Sequence, residues 1–195
     1  MTVATLRAPG EILEFWFSER ARPLWFEKDP AFDAEIRRRF GTTLEAARGG
    51  LLDGWAETPE SGLALVVLLD QFSRNVHRGT PRAFAGDARA RATASRAVER
   101  GFDRRIPLER RMFFYLPFEH SEEPADQARA AALFRRWADE HDGPAREEAL
   151  EQVRYVLRHQ EIIERFRRFP HRNQILSRES TPEELAFLAE PHSSF

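Results

Sequence analysis

From Leu63 to Leu69 every position is apolar, and the run continues directly into Asp70-Gln71-Phe72-Ser73-Arg74-Asn75. At about 100° per residue, Leu63, Val66, Val67, Asp70 and Arg74 share one helical stripe, while Leu65, Leu68, Leu69 and Phe72 cover the opposite side. A helix apolar on both sides is buried, so its charged groups need partners. The same periodicity predicts helices over about 10–20, 30–48, 59–77, 81–101, 107–118, 122–141, 144–168 and 182–189. Their starts are marked by Asp29-Pro30, Thr58-Pro59, Thr80-Pro81 and Thr181-Pro182-Glu183-Glu184, each a capping side chain before a proline that can occupy the first helical position. No stretch combines β-branched alternation with a hairpin turn, so the pattern predicts an all-α fold. Short loops force neighbouring helices antiparallel, which gives stacked helical hairpins. The alanine-rich stretches Ala88 to Val98 and Ala128 to Trp137 are suited to close helix contacts of the helical-repeat kind, although no regular period near 34 residues is present.

The 195 residues, 42% hydrophobic and 11% aromatic, are enough for one substantial core, and no linker divides them; a single domain over 1–195 is expected, its core at about 10–190. The absence of cysteine excludes disulfides, thiolate metal sites and a cysteine nucleophile. Met1 to Pro9 holds no apolar run of signal-peptide length, and Leu63 to Leu69 is too short for a bilayer, so a cytoplasmic location with no membrane partner is expected. The net charge of −2 conceals an asymmetry: nine arginines face four acids between Arg82 and Arg111, and ten acids face four arginines between Glu119 and Glu151. These are either solvated faces of adjacent helices attracting each other or an arginine-rich face for RNA or phosphate. With Lys28 the only lysine, no nucleic-acid partner is expected.

Three segments place polar groups in aromatic surroundings. In the first, Asp70 and Arg74 are i,i+4 neighbours, as are Gln71 and Asn75, so each pair can satisfy itself; alternatively Arg74 and Arg78 present guanidinium groups to an anion while Asp70 orients them. In the second, Pro117 is expected to kink or end the helix carrying Phe113-Phe114-Tyr115, with Ser121 capping the next helix, Glu119 and His120 in the connection and Glu122 in a first turn. In the third, Pro170 stops a long helix on which His159 faces inward with Tyr155, Ile162 and Phe166. His171-Arg172-Asn173 then begins an irregular stretch able to staple carbonyl groups at helix ends. His120, His159 and His171 with Glu119 or Glu122 could make a metal set, but no helical His-x-x-x-His or Glu-x-x-His spacing exists, and neither metal nor cofactor is expected. Ser73 and Ser121 sit in no nucleophile elbow, and there is no phosphate loop.

Asp70 to Asn75 with Arg78, Phe113 to Phe118 with His120-Ser121-Glu122, and Phe169 to Asn173 with Arg178-Glu179-Ser180-Thr181 together resemble a bacterial family, domain of unknown function 924, from about Ile12 to Leu188. The resemblance implies a tetratricopeptide-like, right-handed α-α superhelix and no assigned activity. The residues support three functional readings. One is a binding protein holding a small anionic molecule or a peptide carboxylate with Asp70, Arg74, Asn75, Arg78, His120, Glu122, His171, Arg172 and Asn173. Another is an acid–base enzyme in which His120 or His171 carries the proton, Asp70 or Glu122 orients it and Arg74 stabilises negative charge. The third is a protein-interaction module whose buried charges are purely structural.

Overall fold

A computed structural model describes residues 5–191 and 193, all as helices, turns and loops, with no strand among them. The helices are α1 (Pro9–Trp16), α2 (Pro30–Arg48), α3 (Pro59–Val67), α4 (Ser73–Val76), α5 (Asp87–Glu99), α6 (Met112–Glu119), α7 (Pro124–Asp139), α8 (Gly143–Phe166) and α9 (Pro182–Leu188). The chain is all-α.

The start signals explain most of these boundaries. Asp29 accepts hydrogen bonds from the Ala31 and Phe32 amides at 2.8 and 3.0 Å, and Thr58 accepts one from Ser61 at 3.3 Å. Thr181 and Glu184 form the reciprocal box, with Thr181 Oγ1 accepting from the Glu184 amide at 3.2 Å and the Glu184 carboxylate accepting from the Thr181 amide at 2.7 Å. Thr80-Pro81 opens only a 3₁₀ turn, Pro81–Phe84, and α5 starts later, after Gly86. Between α3 and α4 the helix widens to a π-turn, Leu68–Phe72, which includes Asp70 and Gln71.

Pro117 does not end α6: the helix runs on to Glu119, which is therefore not in the connection, because Met112 to Glu119 are buried throughout and their packing outweighs the one backbone bond that proline removes. The helix end is capped from α7: Gln127, fully buried, donates through Nε2 to the carbonyl oxygens of Glu119 and Ser121, each at 2.6 Å, and at 3.4 Å to that of Phe118. Ser121 does not cap α7, which begins after Glu123. Its hydroxyl donates to Asp126 at 2.7 Å and accepts from the Glu123 amide at 3.2 Å.

The described residues form two compact units, one comprising 5–78 with Arg82–Pro117, the other Gly79–Pro81 with the described residues from Phe118 on. The first has an aromatic centre in which Trp16 meets Phe72 and Phe113 edge-on at ring-centroid distances of 5.4 and 5.9 Å, and Phe40 meets Phe72 at 5.0 Å. Burying such rings supplies the main folding term, with about 0.5–1.5 kcal/mol per pair from ring geometry. Gly86 lies against the π-turn, its Cα facing the Leu69 carbonyl group. In the second unit α7 and α8 pack along each other after a short turn, and α9 packs on the 3₁₀ turn Pro170–Arg172. Phe169, Ile162, Ile163 and Phe187 form its apolar centre.

Candidate functional site

Asp70, Arg74, Asn75 and Arg78 belong to the first unit, and there they meet protein groups. Asp70 is 1% exposed, and its carboxylate is 2.9 Å from Arg74 Nη1. Arg74 also donates to both carboxylate oxygens of Asp87, at 3.0 and 3.2 Å, and to the Asp70 carbonyl oxygen at 3.1 Å. The expected i,i+4 pair of Asp70 and Arg74 is therefore present, with Asp87 added from the first turn of α5. The expected pairing of Gln71 with Asn75 is absent, because the π-turn changes the spacing that would align them. Gln71 Nε2 donates to Asp70 at 2.6 Å, and Asn75 Nδ2 to Asp33 at 2.7 Å. Arg78 grips the same Asp33 carboxylate with two bonds, at 2.7 and 3.0 Å, which raises the guanidinium pKa further. These pairs tie α2, α5 and the π-turn to α4 and the residues that follow it.

His120, Glu122, His171, Arg172 and Asn173 belong to the second unit, where the structure brings them together. Glu122 is not in a first helical turn, where the dipole would have favoured it. It accepts from the Phe169 amide at 2.9 Å and from Arg178 Nη1 and Nη2 at 2.7 and 3.0 Å. Burial raises its pKa, but the bonds from Arg178 and Phe169 outweigh that and hold it below the ordinary carboxylate value. Arg178 also donates to the Phe169 carbonyl oxygen at 3.1 Å and to Asn173 Oδ1 at 3.0 Å, while Asn173 Nδ2 donates to Ser180 at 3.0 Å. This network fixes the irregular stretch 169–181 and holds Arg172 and His171 in place.

Arg172 is buried. Its guanidinium stacks 4.4 Å from the Phe169 ring centroid and donates to the His120 carbonyl oxygen at 3.0 Å. Phe169 also meets the imidazoles of His159 and His171 at 5.4 and 5.6 Å. His159, on α8, is 2% exposed. Its Nδ1 lies 3.0 Å from the Tyr155 carbonyl oxygen and 3.3 Å from the Glu119 carboxylate; both are acceptors, so the neutral ring carries its proton on Nδ1. Burial holds His159 well below the ordinary 6.5, with His120, Arg172 and His171 acting in the same direction. Burial, then the charge of Arg172, pushes His171 down to about 4. Burial and the Glu119 carboxylate raise the Tyr155 phenol to about 12.

Sequence reasoning picked out the three histidines and Arg172 but missed two organising residues. Arg178 had a signal, since it lies in the motif following Asn173. Asp33 had none beyond an acid in the first turn of α2, because its partners lie 42 and 45 residues away. Among the described residues no His, Asp and Glu group has metal-binding geometry.

These neutral imidazoles make stability depend on pH. The unfolded chain protonates its histidines near 6.5 and the folded one at lower pH, so the unfolded state binds more protons below 6.5 and stability falls with pH. His77, lowered chiefly by burial, adds to the same window. The denaturant midpoint should therefore drop between pH 6.5 and about 4.5, before the carboxylates titrate, and His171→Gln should reduce that slope. A flat profile over this range would contradict the assignment.

A family model described as a bacterial protein of unknown function, DUF924, matches residues 12–192, and the chain belongs to that family. A solved structure of a protein of unknown function from Agrobacterium tumefaciens is similar at 45% identity, with a TM-score of 0.79, covering 93% of this chain and 96% of its own. No curated protein matches. Among the described residues no helix is long and apolar enough to cross a membrane.

Proposed function

We propose that the chain is a cytoplasmic binding protein, and that the second unit holds a small molecule through its anionic group, a carboxylate or phosphate, at Arg172, His171 and His120. The tetratricopeptide-like superhelix implied by the family resemblance belongs to the same reading. The observation that carries it is the gathering of three separate segments around Arg172 and Phe169: the His159 and His171 imidazoles lie against the Phe169 ring, and the Arg172 guanidinium covers that ring and reaches the His120 carbonyl oxygen. Arg172 supplies the charge, and the neutral His171 imidazole can give or take one hydrogen bond. Glu122, Arg178 and Asn173 are positioning residues, since they hold the stretch that carries His171 and Arg172.

The acid–base alternative is less favoured by the same geometry. A general base works best with a pKa near the working pH, and an imidazole at about 4 is a weak base that holds no proton at neutrality.

The test is a thermal-shift screen of the protein against carboxylates, phosphates and short peptides, repeated on His171→Gln and Arg172→Lys. Binding raises stability by about 2.7 kcal/mol at a hundredfold excess over the dissociation constant. The expected result is a hit that His171→Gln loses while its ligand-free melting temperature stays near that of the parent. Turnover of the hit, abolished by His171→Gln, would favour the enzyme reading. Equal losses of stability in all variants and no hit would make the cluster structural.

A further inference from the structure

A cavity of about 430 Å³ opens between α1 and α2 in the first unit, a volume in the range of small-molecule sites. It shares no residue with the site proposed above. Glu11, Glu14 and Phe15 contribute from one stripe of α1, Phe32 and Arg39 from α2, and Arg20 from the connection between them. Phe15 and Phe32 stack with centroids 5.6 Å apart and planes 15° from parallel, giving an aromatic floor.

The charges lining this cavity fall into two groups. Glu11 is committed: it binds Arg7 at 3.0 Å and the Ala8 amide at 2.8 Å. Glu14 is exposed, and among the described residues its carboxylate meets no hydrogen-bond or ion-pair partner. Arg20 and Arg39 converge on a single carboxylate, Glu35, at 2.5 and 3.4 Å, so two guanidinium charges share one counter-charge. Arg39 is further held over the Phe15 ring at 4.6 Å, which fixes it beside the floor. Arg20 bonds both oxygens of Glu35, so Arg39, 3.4 Å from the same carboxylate, is the guanidinium with charge to spare; the cavity presents that charge on α2, the Glu14 carboxylate on α1, and the edges of Phe15 and Phe32.

We propose that this cavity binds a zwitterion, namely a free amino acid with an apolar side chain. Its ammonium group pairs with Glu14, its carboxylate meets Arg39, and its side chain lies over the edges of Phe15 and Phe32. A simple anion satisfies only one of the two charges, and a simple cation only the other.

The test is a titration of the ¹⁵N-labelled protein with L-phenylalanine, 3-phenylpropionate and phenethylamine, which carry both charged groups, the carboxylate alone and the ammonium alone. Saturable shifts at α1 and α2 amides are expected for phenylalanine, with each fragment binding roughly ten- to hundredfold more weakly, the size of one lost charge-assisted bond. Glu14→Gln, at an exposed position that leaves the fold intact, should lower phenylalanine affinity to that of phenylpropionate and leave phenylpropionate unchanged. The proposal is overturned by any of three results: no saturable shift up to about 10 mM phenylalanine, phenylpropionate binding as tightly as phenylalanine, or Glu14→Gln binding phenylalanine like the parent.

Discussion

Gly86→Ala should destabilise the protein by about 3 kcal/mol, a loss of roughly 6–12 °C in melting temperature. The backbone of Gly86 is ordinary, at φ −89° and ψ −14°, so alanine meets no conformational obstacle there. The obstacle is contact: a Cβ on Gly86 would fall inside van der Waals distance of the Leu69 carbonyl oxygen and 3.2 Å from its carbonyl carbon. Those atoms belong to the backbone of a buried π-turn and cannot rotate away as a side chain could. Either α5 moves outward, pulling Asp87 from Arg74, or the π-turn distorts around Asp70. Gly10→Ala is the matched control, because nothing lies within 4 Å of a Cβ there, and it should leave stability unchanged or slightly higher. Denaturant unfolding of both variants measures the contrast, and equal stabilities would contradict the close packing of α5 on the π-turn.

The second large effect is expected at Glu122. Glu122→Ala removes both bonds to Arg178 and the acceptor for the Phe169 amide, leaving the guanidinium without its counter-charge, held only by Asn173 and the Phe169 carbonyl oxygen, and the amide unpaired, where the two side chains are only 28% and 24% exposed. Unpairing partly buried groups of this kind costs about 2–4 kcal/mol. Arg178→Ala should cost a similar amount, and the double variant far less than their sum, since both members serve one clamp. The clamp also holds the stretch carrying His171 and Arg172, so any ligand-induced thermal shift should disappear in either single variant. A double-mutant cycle that proves additive would show that the two residues act independently.

Much of the fold is legible in the sequence because helix starts are local chemistry. Asp29, Thr58 and Thr181 each sit one residue before a proline and cap the helices expected of them. The errors occur where distant contacts override local preference. Pro117 stays within α6 because the flanking residues are all buried and Gln127, from another helix, takes up the terminal carbonyl groups. The π-turn at Leu68–Phe72 has no local signature, and it breaks the i,i+4 arithmetic that paired Gln71 with Asn75. The candidate site was legible as residue types in aromatic surroundings, since buried polar groups stand out against apolar neighbours. Its pairing was not, because Glu122 and Arg178 are separated by 56 residues and only the folded chain brings them together.

In the proposed function the His120, His171 and Arg172 cluster receives an anionic group. The most direct measurement follows the imidazole ring signals by NMR as the best carboxylate or phosphate from the thermal-shift screen is titrated in at constant pH. Saturable movement of the His171 and His120 signals, with one dissociation constant matching that from the thermal shifts, is the predicted result. A ligand that binds without moving either signal, or histidine signals that respond to no anion in the screen, would contradict it.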